Sequence, residues 1–227
     1  MTKLIQESTL TAIGDAIRAK TGDTALMSPA AMVTAIEGIS GGGSGGEIVN
    51  TDVEDALITR TITEYSNDRV TALGGHALRN CQNLITADFP NVAVVGEYAF
   101  AECYALKSVN IPLAESIGQI AFRYCRAIRK LDLPKVTFID EYAFRYMRLL
   151  TALILRSETM VTLANSNALE GCCHINGTTM PEYNPNGDKD GYIYVPSALV
   201  DEYKANSIWS GYSSQIRAIE DYPDITS

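Results

Sequence analysis

Nothing in this sequence approaches the run of about 18 apolar residues that a membrane-spanning helix requires. The opening stretch, MTKLIQESTLTAIGDAIRAKTGD, has neither the apolar centre nor the small-residue cleavage site of a secretory leader. A basic excess is missing too: the 227 residues carry a formal net charge of −9, opposite to the footprint of a general nucleic-acid binder. Neither a nucleic-acid partner nor a membrane partner is therefore expected. Histidine is scarce, with only His76 and His174, and neither falls in a pair with ligand spacing. The five cysteines, 81, 103, 125, 172 and 173, form no CxxC pair, so no metal, no cofactor and no disulfide framework is expected.

What the chain does have is apolar residues in a strict order. At 46% hydrophobic and 20% charged it can bury a sizeable core. Residues 73 to 160 divide without a gap into LGGHALRNCQNLITADFPNVAV, VGEYAFAECYALKSVNIPLAES, IGQIAFRYCRAIRKLDLPKVTF and IDEYAFRYMRLLTALILRSETM. Leu78, Phe100, Phe122 and Phe144 recur every 22 residues, as do Cys81, Cys103, Cys125 and Met147, and Leu84, Leu106, Ile128 and Leu150. A fifth, imperfect copy follows at Ala168, Leu169, Cys172 and Ile175, 25 residues beyond Phe144 where an even repeat would stand at 22. A period in the low twenties is too short for a helix pair and fits one coil of a leucine-rich solenoid. Within a coil, AFAEC predicts a helical turn pointing Ala99, Phe100 and Cys103 inward. LKSVNIP predicts a strand with Leu106, Val109 and Ile111 facing the core, closed by Pro112. The cysteine column reads as buried packing, since Met147 fills its fourth place and could replace neither a disulfide partner nor a zinc ligand.

The fold expected is an α/β repeat: a leucine-rich-repeat solenoid of about five 22-residue coils with end caps, preceded by a small helical hairpin. The pattern IG..AF..C..L..L.LP, fullest over residues 117 to 134, resembles the BspA-like class of bacterial leucine-rich repeat. EDALITRTITEYSNDRVTALGGHAL is similar to an amino-terminal cap, with a hairpin expected at Ser66, Asn67 and Asp68. GYIYVPSALVDEYKANSIWSGYSSQIRAI is similar to a closing strand and helix. Ahead of the array, Leu10, Ile13, Ala16 and Ile17 share one helical face, and a second helix opens at Ser28-Pro29 and stops at Gly38. The boundaries read as 1–39 helical hairpin for attachment or oligomerisation, 40–46 Gly/Ser linker, 47–72 amino-terminal cap, 73–180 repeats and 181–227 carboxy-terminal cap. Residues 1–39 resemble a segment of phage and prophage tail and baseplate proteins.

Two faces stand out as candidates for binding. Residues 117 to 160 hold eight basic side chains and four acidic ones, so this segment is +4 and the remainder −13. Arg123 stands one coil from Arg145 and Arg126 one coil from Arg148, placing like charges about 5 Å apart, an arrangement expected to weaken the isolated fold slightly. Tyr104, Tyr124 and Tyr146 interleave with them, a composition typical of contact surfaces. The second face is the concave strand column of Asp88, Asn110, Asp132 and Ile154. No nucleophile, base and orienting group come together in the sequence, so no catalysis is expected from Cys172, Cys173 and His174. NPNGDKDG, residues 184 to 191, lacks the glutamate that a calcium loop would need and reads as a turn. The resemblances imply a non-enzymatic adhesion protein. It is expected as a virion part that assembles in the bacterial cytoplasm, joins other tail or baseplate proteins through residues 1–39 as a homo-oligomer, and presents the solenoid to a host-envelope glycan or protein. The alternative is an adhesin on the bacterial cell surface.

Overall fold

The computed structural model describes residues 47–48 and 62–226; the expected helical hairpin and linker lie outside the described residues. The chain divides into two units, Met1–Gly46 and Glu47–Ser227, and the described residues all belong to the second.

Among the described residues every pairing between strands is parallel. Short strands β1 (Glu47–Ile48), β3 (Ala72–Leu73), β5 (Val94–Val95), β7 (Ser116–Ile117), β9 (Phe138–Ile139) and β11 (Thr162–Leu163) stack into one sheet, in that order. A second face begins with β2 (Glu64–Ser66), β4 (Thr86–Asp88) and β6 (Ser108–Asn110). It continues as a separate four-stranded sheet of β8 (Lys130–Leu133), β10 (Ala152–Leu155), β12 (Tyr192–Val195) and β13 (Ile216–Ala218). The registers carry the 22-residue period into space, pairing Asp88 with Asn110 and Val95 with Ile117. No hairpin forms at Ser66–Asp68: β2 pairs with β4, and the Asn67 amide donates to Asp88 O at 2.9 Å. The outer coil is held by the neighbour it stacks on rather than by folding back on itself.

The third side of each coil differs from expectation. Ala99, Phe100 and Cys103 are fully buried as their spacing predicts, yet residues 97–105 form consecutive turns rather than a helix. Alternate amides explain this. In the coil that begins at Gly118, the amides of Ile120, Phe122 and Tyr124 donate to Glu141, Ala143 and Arg145 of the next coil. The amides of Ala121, Arg123 and Cys125 instead reach back three residues, to Gly118, Ile120 and Phe122. Half of the donors are committed between coils, so no i to i−4 ladder can form, and all of them are satisfied nonetheless. The geometry requires two left-handed residues per coil: His76 and Asn80, Tyr98 and Glu102, Ile120 and Tyr124, Tyr142 and Tyr146 all have φ between 56 and 67°.

Inside, the columns stack as continuous ladders. Phe100 and Phe122 lie ring on ring at 4.9 Å, and Phe122 meets Phe144 at 5.9 Å. All five cysteines are reduced and buried. Their thiols do more than fill space, because Cys103, Cys125 and Cys172 each donate at 3.1 Å to a carbonyl of the preceding coil, those of Leu78, Phe100 and Phe144. The array closes with the short helices α1 (Cys173–Asn176) and α2 (Val200–Ala205). Tyr203 and Trp209 bury their rings over the last coil, the Tyr203 hydroxyl accepting from Val161 N and Trp209 Nε1 donating to Val161 O, both at 2.8 Å.

Candidate binding faces

The side made of turns presents the arginines and tyrosines, and its left-handed positions aim the rings along the stacking direction. Tyr124 and Tyr146 stack at 5.0 Å with a 12° interplanar angle, and Tyr104 tilts against Tyr124 at 6.4 Å. The guanidinium of Arg126 lies between Tyr104 and Tyr124, 4.9 and 5.0 Å from the two ring centroids. Arg123 sits 4.6 Å over Tyr124. Arg145 lies against both Tyr142 and Tyr146, at 4.8 and 4.7 Å, and Arg148 over Tyr183 at 4.8 Å. The structure therefore links six of the seven predicted residues of this face through ring contacts and places the seventh, Arg148, on Tyr183. It also corrects the expected destabilisation: each arginine rests on tyrosine, a contact worth about 0.5–1 kcal/mol at an exposed site, which offsets the repulsion between coils.

Carboxylates reach this strip at its two ends. Arg79 Nη2 meets Glu102 at 3.2 Å, and Arg145 Nη2 meets Glu170 at 2.9 Å while also donating to the Tyr146 hydroxyl at 3.2 Å. Arg123, Arg126 and Arg148 have no acidic partner among the described residues. Their Nε atoms, like that of Arg145, are buried without an acceptor. The sequence reading missed Glu170 because of the uneven spacing of the fifth copy. Carried through that insertion, the column of Arg123 and Arg145 arrives at Glu170, as the Tyr146 amide bond to Glu170 O shows.

On the strand face the predicted column is aligned but largely occupied by its own members. Asn110 Nδ2 donates to Asp88 Oδ1 at 2.7 Å, and the Ser66 hydroxyl to Asp88 Oδ2 at 3.2 Å. Asp132 accepts three bonds from Arg156, two from Nε at 3.0 and 3.2 Å and one from Nη2 at 2.7 Å, which hold the guanidinium above its ordinary pKa. Arg156 follows Pro90, Pro112 and Pro134 at the 22-residue interval, so the break in the proline column marks this ion pair in the sequence. Beyond it, Ala152, Ile154 and Tyr194 form a second apolar cluster, covered by Tyr192, Ile219 and Ile225. Tyr222 closes edge-on against Tyr194 at 5.3 Å. The last described residues of the chain thus lie across the sheet where a ligand of this face would sit.

The remaining candidates resolve into structural parts. His174 does have an orienting acid, since its Nδ1 lies 2.6 Å from Asp190 Oδ1, a partner that sequence proximity did not reveal. The adjacent thiol of Cys173 is buried and donates to Arg148 O at 3.0 Å, and burial raises its pKa, the reverse of an activated nucleophile. The loop of residues 184–191 is organised by Asn184, whose Nδ2 donates to the carbonyls of Cys173 and Asp188 at 2.9 and 2.8 Å. With Asp190 turned to His174, its carboxylates do not converge. Among the described residues no group of His, Cys, Asp or Glu is placed to hold a metal, and no helix is long and apolar enough to cross a membrane.

No curated protein matches the chain. A leucine-rich repeat protein of T. pallidum is similar at 17% identity and a TM-score of 0.48, over 58% of either chain. A leucine-rich cell surface protein of Faecalibacterium prausnitzii aligns at 18% identity and 0.49, over 67% of this chain and 35% of that one. The pneumococcal vaccine antigen PcpA gives 13% and 0.38, over 69% and 40%. This chain thus spans less than two thirds of the length of each. Nothing in these comparisons supports the likeness of residues 1–39 to tail and baseplate proteins. The family model of the BspA type leucine rich repeat region matches residues 62–188 in six copies, one more than the period alone gave. With that match laid over coils whose registers repeat every 22 residues, the chain belongs to the BspA type leucine-rich repeat family.

Proposed function

We propose that this protein is a non-enzymatic binding module of a bacterial cell-surface adhesin, and that its contact surface is the arginine and tyrosine strip on the turn side. The virion reading gives way to this one because it rested on residues 1–39, whereas the family match covers residues 62–188 and includes none of them. The observation that carries the assignment of the face is the contrast between the two columns. Asp88, Asn110 and Asp132 are bonded within the protein, while Arg123, Arg126 and Arg148 stand without an acidic partner among the described residues. Rigid aromatic contacts hold those three guanidiniums in place, so little side-chain entropy remains to be lost when a partner docks.

Two triple variants test the choice of face, with attachment of the labelled full-length chain to host-cell surface preparations read by flow cytometry. R123S/R126S/R148S should lose attachment, and raising the salt should weaken the parent's binding steeply. D88A/N110A/D132A should bind as the parent does. The opposite pattern would move the site to the strand face.

A further inference from the structure

The strip is a row of guanidiniums whose two ends already hold the group they recognise. Arg79 at one end takes the carboxylate of Glu102, and Arg145 toward the other takes that of Glu170. Each bond runs to a neighbouring coil, so the carboxylate stands where an external chain laid along the strip would place it. Between and beside these filled positions, Arg123, Arg126 and Arg148 keep their planes pinned against Tyr124, Tyr104 and Tyr183. Ring contacts cover the guanidinium faces and the Nε atoms are buried, which leaves the terminal nitrogens as the donors that can meet a ligand, in the planar arrangement that suits a carboxylate.

The surroundings select the kind of carboxylate. Among the described residues the large exposed apolar side chains are Val94, Leu113, Phe138 and Tyr222, and none belongs to the turn side. A peptide would find no apolar anchor here. An extended peptide also presents side chains on one face every ~6.8 Å, whereas stacked coils recur every ~4.8 Å, so its carboxylates would drift from one arginine to the next. The groups that accompany the arginines are the phenol hydroxyls of Tyr104, Tyr124 and Tyr146, which donate to and accept from alcohols. We propose that Arg123, Arg126 and Arg148 form a site for an acidic polysaccharide, a chain of sugars bearing carboxylates, whose acid groups take the positions that Glu102 and Glu170 fill at the ends of the strip. This inference rests on the turn side being the binding face.

The test is isothermal titration of the full chain with polygalacturonate oligomers, set against the same oligomers as methyl esters, poly-glutamate and inorganic polyphosphate. Binding is expected for the uronate alone and is lost on esterification. R123S/R126S/R148S should weaken it by about tenfold or more for each guanidinium removed. D88A/N110A/D132A, on the strand face, should leave it unchanged, because those side chains are bonded within the protein away from the strip. The lysine variant R123K/R126K/R148K keeps the charge and most of the packing, and it should also bind weakly. Equal binding by the lysine variant, the ester, poly-glutamate or polyphosphate would reduce the site to diffuse charge and overturn the proposal. If uronate fails to bind while R123S/R126S/R148S still loses cell attachment, the ligand class falls and the face stands. If that variant keeps attachment, the face itself falls.

Discussion

Ile120 carries a β-branched side chain at φ 60°, a conformation in which Cβ crowds the following carbonyl at a cost of about 1–2 kcal/mol. Asparagine, which tolerates this region and stands at the left-handed position Asn80, should relieve it. Ile120→Asn is expected to raise the unfolding free energy by about 1 kcal/mol in urea titration. This feature was not legible in the sequence, because Tyr98, Glu102, Ile120 and Tyr146 are not residues that announce a positive φ. The cysteines show the opposite case. Their 22-residue column is legible in the sequence and gives their burial, though not the bonds their thiols donate between coils, nor the burial of Cys173, which stands outside the column. Burial raises the pKa of Cys125 and Cys172, and a bond with Cys81 together with burial raises that of Cys103. Native thiols therefore keep their protons above pH ~8.5, where those of the unfolded chain lose them. Unfolding then releases protons, so the contribution is full below that pH and declines as the pH rises past it. The urea midpoint should fall steadily from pH 8 to 10, and thiol reagents should modify the protein only as it unfolds. A midpoint unchanged over that range would mean that the thiols are accessible in the fold.

A coil is the element of this protein, and it is defined by how closely it approaches the next one. Gly96 and Gly118 stand one period apart where the short strand enters the turns. A Cβ on Gly118 would lie 2.8 Å from the carbonyl carbon of Gly96, and one on Gly96 would lie 2.5 Å from Leu73 O. The neighbours are backbone and cannot move aside. Gly118→Ala should thus cost about 2 kcal/mol or more, whereas Phe122→Ala, which opens a cavity in the middle of the ring ladder, should cost about 3–5 kcal/mol. Calorimetry separates the two further. The loss of Phe122 is expected to split the melt into two weakly coupled transitions, since each coil contacts only its neighbours. The period established the coil and its inward residues because both depend on spacing alone. It could not distinguish a helical turn from serial turns, since Ala99, Phe100 and Cys103 face inward in either geometry, and the difference lies in amide bonds made to residues 21 positions away.

At the scale of the whole array, the residues that close the chain determine which face is open. Ile219, Tyr222 and Ile225 lie over Ala152, Ile154 and Tyr194, and Lys130 Nζ donates to Ile225 O at 3.2 Å. The sequence placed 181–227 in one cap and gave no sign that its last part crosses the strand sheet, because so short a segment has no periodicity of its own. Removing residues 219–227 should uncover that apolar patch, increase binding of a hydrophobic dye several-fold and lower the melting temperature, with the strip at Arg123, Arg126 and Arg148 still functional. Unchanged dye binding would mean that the cover is not held there in solution. The amide bonds from coil to coil have a further consequence, a mechanical one. They run along the stacking direction, so tension between the two ends of the array loads them one after another instead of all together. Under drag the coils would detach singly from an end, each releasing up to roughly 70 Å of slack chain. A tether built this way lengthens before it lets go.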